Sequence, residues 1–138
     1  LGGPFSGDTY TETLETYARW LAPGGWLLSG HGFWMQEPCA EYLEATGIPA
    51  EEFTDHAGTI RVAQEAGFDL EHDSISTSAA WETFEGTIME NREARSAAHP
   101  ADGEARLALE KARRWTEARD RWGRATLGFA LYLYRLRS

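Results

Sequence analysis

The residues best suited to chemistry in this chain gather around one histidine. His31 lies between Gly30 and Gly32, directly after the apolar run at residues 26–28. An unperturbed imidazole has a pKa of about 6.5, so it can take up a proton near neutral pH, and flanking glycines leave room for a ligand. We therefore predict that His31 is a general base. A hydrogen-bonded structural histidine is the alternative interpretation.

Three aromatic side chains are candidates for the wall of a binding site. Phe33 and Trp34 follow His31 directly, and Trp81 belongs to an apolar stripe of helical spacing. We predict that these rings contact an aromatic or apolar substrate. Packing in the hydrophobic core is the alternative, and for Trp81 it is the favoured one.

Two charged residues, Glu85 and Arg124, each lie among apolar neighbours in the sequence. An unpaired charge in such surroundings is costly, so each should have a partner. We predict that Glu85 and Arg124 form a structural ion pair with each other. The alternative is that one of them binds a charged group of the substrate.

Other chemistries lack the spacing that they need. The four histidines, at positions 31, 56, 72 and 99, show no paired ligand spacing, and no G-x-S-x-G motif is present, so we predict neither a metal site nor a serine nucleophile. The single cysteine, Cys39, excludes an internal disulfide and fits a reducing compartment. No run of about 18 apolar residues and no secretory signal pattern is seen, so we expect a cytoplasmic protein without a membrane partner.

Charge is distributed unevenly along the chain. Residues 1–91 contain two basic and 16 acidic residues, net −14, whereas residues 92–138 contain 11 basic and six acidic residues, net +5. An acidic body covered by a basic helix explains this pattern better than a nucleic-acid surface does. The overall charge of −9 repels phosphate backbones, and the basic residues alternate with glutamates.

Alternating helices and strands must position these residues. We predict helices over residues 9–21, 40–45 and 56–66, strands near residues 25–31, 69–77 and 126–137, and a helical hairpin over about 78–122. In the first strand the glycines around His31 are expected to end the pairing, which leaves Phe33 and Trp34 in a loop beyond it. Ligands of open α/β sheets bind at the carboxyl ends of strands, which is where this loop would lie.

One stretch carries a resemblance to a known family. The sequence LAPGGWLLSG at residues 21–30 resembles the segment between the fourth helix and the fifth strand of class I S-adenosylmethionine-dependent methyltransferases, where the phrase "LkPGG" recurs. Further segments that resemble a bacterial branch of this family lie at residues 32–38, 55–68, 81–85 and 122–129. The resemblance covers nearly the whole chain.

The resemblance implies a fold and an activity. The fold would be α/β, the C-terminal half of a Rossmann-like methyltransferase, with a three-stranded mixed sheet in the order fifth, seventh, sixth strand. The last strand would be antiparallel and lie between the other two, and the helical hairpin would be an insertion over the carboxyl ends of the strands. The activity would be methyl transfer from S-adenosylmethionine to an unidentified small-molecule acceptor.

The part of the family that binds the cofactor is absent from this sequence. No glycine-rich loop follows a first strand, and Gly30-His31-Gly32 follows a late one. We therefore expect residues 1–138 to be a single partial domain, the C-terminal part of a longer protein, with residues 1–4 as the end of a preceding loop. No residue of this chain is expected to bind the cofactor, and the chain alone should not bind S-adenosylmethionine.

Loss of the preceding strands would also expose a sheet edge at residues 26–29. The expected partners are the missing N-terminal half of the domain or a second copy, as a homodimer through this edge. A second functional class stays open: a non-catalytic, methyltransferase-like binding or scaffolding module that works through protein contact.

Overall fold

A computed structural model describes residues 9–137, so the predicted loop at residues 1–4 lies outside the described residues. Helices and strands alternate along the chain, as expected for an α/β protein. In order they are α1 (Tyr10–Trp20), β1 (Trp26–Trp34), α2 (Ala40–Thr46), α3 (His56–Glu65), β2 (Phe68–Ile75), α4 (Ser78–Ala98), α5 (Gly103–Arg121) and β3 (Leu127–Leu136).

Short polar residues fix the starts of the longer helices. The side chains of Thr9, Asp55, Thr77 and Asp102 each accept a hydrogen bond from a backbone amide in the first turn of α1, α3, α4 and α5. Such caps satisfy amide groups that have no partner within the helix. In α4 the capping residue is Thr77, and Ser78 is the first helical residue.

The three strands form one sheet in the order β1-β3-β2. Both pairings are antiparallel, and β1 and β2 therefore run in the same direction on either side of β3. This confirms the predicted strand order, with the last strand inserted between the other two. The three described strands form an antiparallel sheet rather than the predicted mixed one, because the antiparallel β3 separates the two strands that run in the same direction. Strand β2 carries an irregularity between Leu70 and His72, where the pairing with β3 shifts by one residue.

Strand β1 is longer than the sequence predicted. His31, Phe33 and Trp34 were expected at or beyond its end, but each pairs with a residue of β3, His31 with Ala130 and Trp34 with Leu127. Glycines weaken an isolated strand, and on that local ground the sequence predicts that the strand ends there. The long apolar partner β3 overrides that local preference, so that the predicted loop is wrong and all three side chains lie in the sheet.

Two clusters of buried side chains make up the core. The sheet cluster lies between the sheet and helices α1 and α3; its buried members are Leu14, Phe33, Ala63, Phe68, Ala130, Tyr132 and Tyr134. The hairpin cluster lies at the carboxyl end of β1; it consists of Trp34, Tyr42, Phe53 and Leu127, with Trp115 and Trp122 packed against it.

Helices α4 and α5 form the predicted hairpin, joined by residues 99–102. Because Trp115 and Trp122 pack on the hairpin cluster, the hairpin sits at the carboxyl end of β1. None of the helices within residues 9–137 is long and apolar enough to cross a membrane.

Candidate functional site

His31 lies in β1 with its ring enclosed by aromatic side chains. The imidazole stacks on Tyr10 of α1, with ring centroids 3.9 Å apart and planes 8° from parallel, and it meets Phe53 edge-on at 5.2 Å. The residue is 8% exposed. Burial lowers the pKa of His31 to about 4, because the charged form loses its hydration. The imidazole is therefore neutral at pH 7.

The two glycines beside His31 make room for aromatic rings of the protein itself. A Cβ atom at Gly30 would lie 2.7 Å from the ring of Phe129, and one at Gly32 would lie 3.0 Å from the ring of Phe53. The sequence prediction assigned this space to a ligand. In the structure both approaches are filled by phenyl groups.

Phe33 and Trp34 point to opposite faces of the sheet, as neighbours on a strand must. Phe33 belongs to the sheet cluster and meets the ring of His56 edge-on at 5.1 Å. Trp34 belongs to the hairpin cluster, and its Nε1 donates a hydrogen bond of 3.0 Å to the carbonyl of Ala50. Their predicted role in substrate contact stays a prediction, but these two residues do not line one common surface.

Trp81 lies apart from both, at the start of the hairpin. Its ring stacks on Phe129 of β3, with centroids 5.2 Å apart, and packs against Phe84 one turn along α4. Trp81 is half-buried rather than part of either core cluster. Trp81 borders the groove between α4 and α5, and its contact with a substrate stays a prediction.

The predicted ion pair between Glu85 and Arg124 is wrong. The Glu85 carboxylate instead forms an ion pair with Arg119 and accepts a hydrogen bond of 2.9 Å from Nε1 of Trp115. The side chains of Glu85 and Arg119 are 9% and 14% exposed, so this is a largely buried pair. The packing of α4 against α5 places Arg119 opposite Glu85, whereas Arg124 lies beyond the end of α5.

Arg124 forms ion pairs at the surface. Its guanidinium contacts Glu82 and, at 3.0 Å, Asp120. The side chain is 52% exposed, so these contacts contribute little to stability. Its predicted role as a ligand for a charged substrate group stays a prediction.

A groove between α4 and α5 has a volume of about 550 Å³. Its walls are mainly apolar and aromatic; they include Trp81, Phe84, Ile88, Met89, Leu107 and Trp115. A smaller cavity of about 60 Å³ lies next to it, between Trp81 and the end of β1. Trp81 borders both spaces and so links the hairpin to the sheet.

A polar network that the sequence analysis missed lies under the sheet. His56 Nδ1 is 3.0 Å from the hydroxyl of Tyr132, and His56 Nε2 is 2.8 Å from the Asp73 carboxylate. Burial raises the pKa of the Tyr132 hydroxyl to about 12. The alternation of Tyr132 and Tyr134 along β3 was visible in the sequence, but only the pairing of the strands brings Asp73 next to them.

No group of three or more potential metal ligands occurs among residues 9–137. The G-x-G sequence at residues 30–32 lies within β1, where a Cβ atom at either glycine would meet a phenyl ring.

Comparison with known proteins gave matches among solved structures. E. coli YjhP superposes with a TM-score of 0.80 at 20% sequence identity, over 94% of this chain and 54% of that one. S-adenosylmethionine-dependent methyltransferases from Geobacter sulfurreducens and Thiobacillus denitrificans, both in complex with S-adenosylhomocysteine, superpose with TM-scores of 0.77 and 0.78 at 20% identity, over 96% and 99% of this chain and 56% of each of theirs. No family model and no curated protein matches the sequence.

The fold is the C-terminal half of a methyltransferase fold. The chain spans about half the length of the structures that it matches. The chain contains the predicted three strands in their predicted order, and the α4–α5 hairpin lies at the carboxyl end of β1.

Proposed function

We propose that this chain is the substrate-side portion of an S-adenosylmethionine-dependent methyltransferase that acts on a small-molecule acceptor. One observation carries the proposal: nearly the whole chain superposes on about half of enzymes that hold S-adenosylhomocysteine. The proposal further holds that the glycine-rich cofactor loop is supplied by a segment that precedes these residues in a longer protein.

The chemistry of the two sheet edges supports a missing neighbour beside β1. Strand β2 carries Asp69, Glu71 and Asp73, and charges of this kind protect an exposed edge from pairing with another chain. Strand β1 carries no acidic or basic residue other than His31. Two apolar side chains in its first half are open to solvent, with Trp26 51% and Leu28 67% exposed. An uncharged edge with exposed apolar groups is typical of a surface that another element covers.

Methyl transfer asks the protein chiefly to align the acceptor, and to remove a proton when the acceptor atom is protonated. S-adenosylmethionine would supply the methyl group as an electrophile. We assign the proton to His31, which is neutral at the working pH and lies at the carboxyl half of β1. Its pKa of about 4 makes it a weak base, and the acceptor can reach the imidazole only if one of the surrounding rings moves. The packing of Tyr10 over one face of the imidazole would hold the ring in place.

The proposal predicts different behaviour for this chain and for a longer protein. The 138-residue chain should show no saturable binding of S-adenosylmethionine in the micromolar range by calorimetry, because its sequence contains no glycine-rich loop after a first strand. It should also sediment as a self-associated species, since the edge of β1 is open to pairing. Leu28→Lys, which places a charge beside that edge, should restore the monomer.

The matched control is the protein that includes the segment encoded upstream. It should bind the cofactor in the micromolar range and remain monodisperse. Micromolar binding by the monomeric short chain would contradict the assignment. A longer protein that binds no cofactor would favour the scaffolding alternative.

If His31 is the base, its replacement should lower kcat and leave the affinity for the cofactor almost unchanged. In the longer protein, His31→Ala should lower turnover about 100-fold while the cofactor Kd stays within about twofold. His72→Ala, at an exposed position of β2, is the matched control and should leave both unchanged. Normal turnover with weakened cofactor binding would rule out the base.

A further inference from the structure

We propose that the groove between α4 and α5 binds an amphipathic anion, a molecule with an extended apolar body and a carboxylate or phosphate at one end. We further infer that this molecule is the methyl acceptor, a step that rests on the proposed function. The groove lies outside both core clusters, and its volume and lining are those of a small-molecule site.

The dimensions and the walls of the groove carry the apolar part of the inference. Ligand pockets typically enclose about 300–1,000 Å³ and are lined by apolar and aromatic groups, and this groove of about 550 Å³ fits that description. Phe84 and Leu107 face it while 58% and 48% exposed. Covering these side chains with an apolar ligand would remove their surfaces from water.

The charged side chains of the groove indicate that the polar end of the ligand is an anion. At the inner end, the Glu85 carboxylate is already neutralised by Arg119 and by the Trp115 indole, so it offers no site for a cation. Further along, Arg92 and Lys111 line the groove, and neither forms an ion pair with another of the described residues. Glu104 is the one acidic residue of the lining without an ion-pair partner among the described residues. With Glu85 counted as neutralised by Arg119, the other charged residues of the lining sum to a net charge of +1.

The positions of these charges set the orientation of the ligand. Arg92 lies 11 residues after Trp81 on α4, which corresponds to about 16 Å along the helix axis. Lys111 approaches the same region from α5. The anionic end would therefore lie toward the tip of the hairpin, with the apolar end at Trp81. Since Trp81 stacks on Phe129, which covers Gly30 of β1, the end remote from the anion is nearest to the sheet.

The inference can be tested on the 138-residue chain without cofactor or turnover. Decanoate is the probe, decyltrimethylammonium is the matched cation of the same chain length, and binding is measured by calorimetry at low ionic strength. The variants are the double replacement Arg92→Glu with Lys111→Glu and, as a control, Arg113→Glu. Arg113 lies on α5 but not on the groove wall, and all three residues are exposed, so the fold should be retained; circular dichroism verifies this.

Decanoate should bind saturably and about tenfold or more tightly than the cation. The double variant should lose about tenfold in decanoate affinity, whereas Arg113→Glu should change it by less than about twofold. If the double variant unfolds, the neutral replacements Arg92→Gln and Lys111→Gln provide the same comparison with a smaller expected loss.

Equal binding of the two probes, no saturable binding, or unchanged affinity in the charge variants would each overturn the inference. So would sedimentation data in which a second copy of the chain occupies the groove and decanoate does not displace it. None of these results depends on S-adenosylmethionine, so failure of the groove and failure of the proposed function are separate outcomes.

Discussion

Replacement of Glu85 by alanine is expected to lower the free energy of unfolding by about 3–5 kcal/mol. The substitution leaves the Arg119 guanidinium, 14% exposed, without its carboxylate, and it removes the acceptor of the Trp115 indole. Within the described residues Nε of Arg119 is already buried without a hydrogen-bond partner. The guanidinium would keep only its contact of 3.2 Å with the carboxylate of Asp120, whose side chain is 51% exposed. Denaturant unfolding of the two proteins measures the difference.

The pair has a double-mutant test and a control within the same hairpin. Glu85→Ala combined with Arg119→Ala should cost less than the sum of the single replacements, because the second removes the charge that the first left unpaired. Glu82→Ala breaks the contact between Glu82 and Arg124, whose side chains are 41% and 52% exposed, respectively. It should lower the free energy of unfolding by less than about 1 kcal/mol. Additive losses at Glu85 and Arg119 would mean that the two charges act separately.

Acidification is expected to destabilise the protein through His31 by about 3 kcal/mol between pH 7 and pH 4. Burial holds the pKa of His31 at about 4 in the folded chain, against about 6.5 for an imidazole in the unfolded chain. The unfolded chain therefore binds more protons between these values. The contribution of His31 is complete above about pH 6.5 and is lost as the pH falls toward 4.

The matched variants are His31→Phe and His72→Phe. The first keeps an aromatic ring against Tyr10 but removes the titration, so its unfolding free energy should fall by about 3 kcal/mol less than that of the wild type over this pH range. The second replaces an exposed histidine and should follow the wild type. An identical pH dependence for His31→Phe and the wild type would show that His31 is not buried as described.

The local features of this fold were predictable because neighbouring residues determine them. Thr9 and Asp102 cap helices because a short polar side chain reaches the amides of the next turn, which depends on a few residues only. The alternation along β3 likewise identified a strand with two covered faces. The strand order came from the resemblance of residues 21–30 to a known family and not from these local patterns.

Helical spacing in the sequence predicts which residues share a face of α5, but not which residues of α4 they contact. Trp115 and Arg119 are four residues apart, so they lie on one face of α5, and this relation was available in the sequence. Which residue of α4 faces them was not, because it depends on how far one helix slides along the other. The sequence therefore showed that Glu85 needed a partner, and the packing of α4 on α5 chose Arg119 over Arg124.

The same distinction explains the surroundings of His31. The sequence determined that an imidazole lies between two glycines after an apolar run, and that a base there would be chemically suitable. Only the tertiary structure decided that β3 continues the pairing to Trp34, that Phe129 and Phe53 fill the space over the glycines, and that the imidazole is buried and neutral. The physical reason is that burial and its effect on a pKa are set by side chains distant in sequence, which meet His31 only when β1, β3 and α1 assemble.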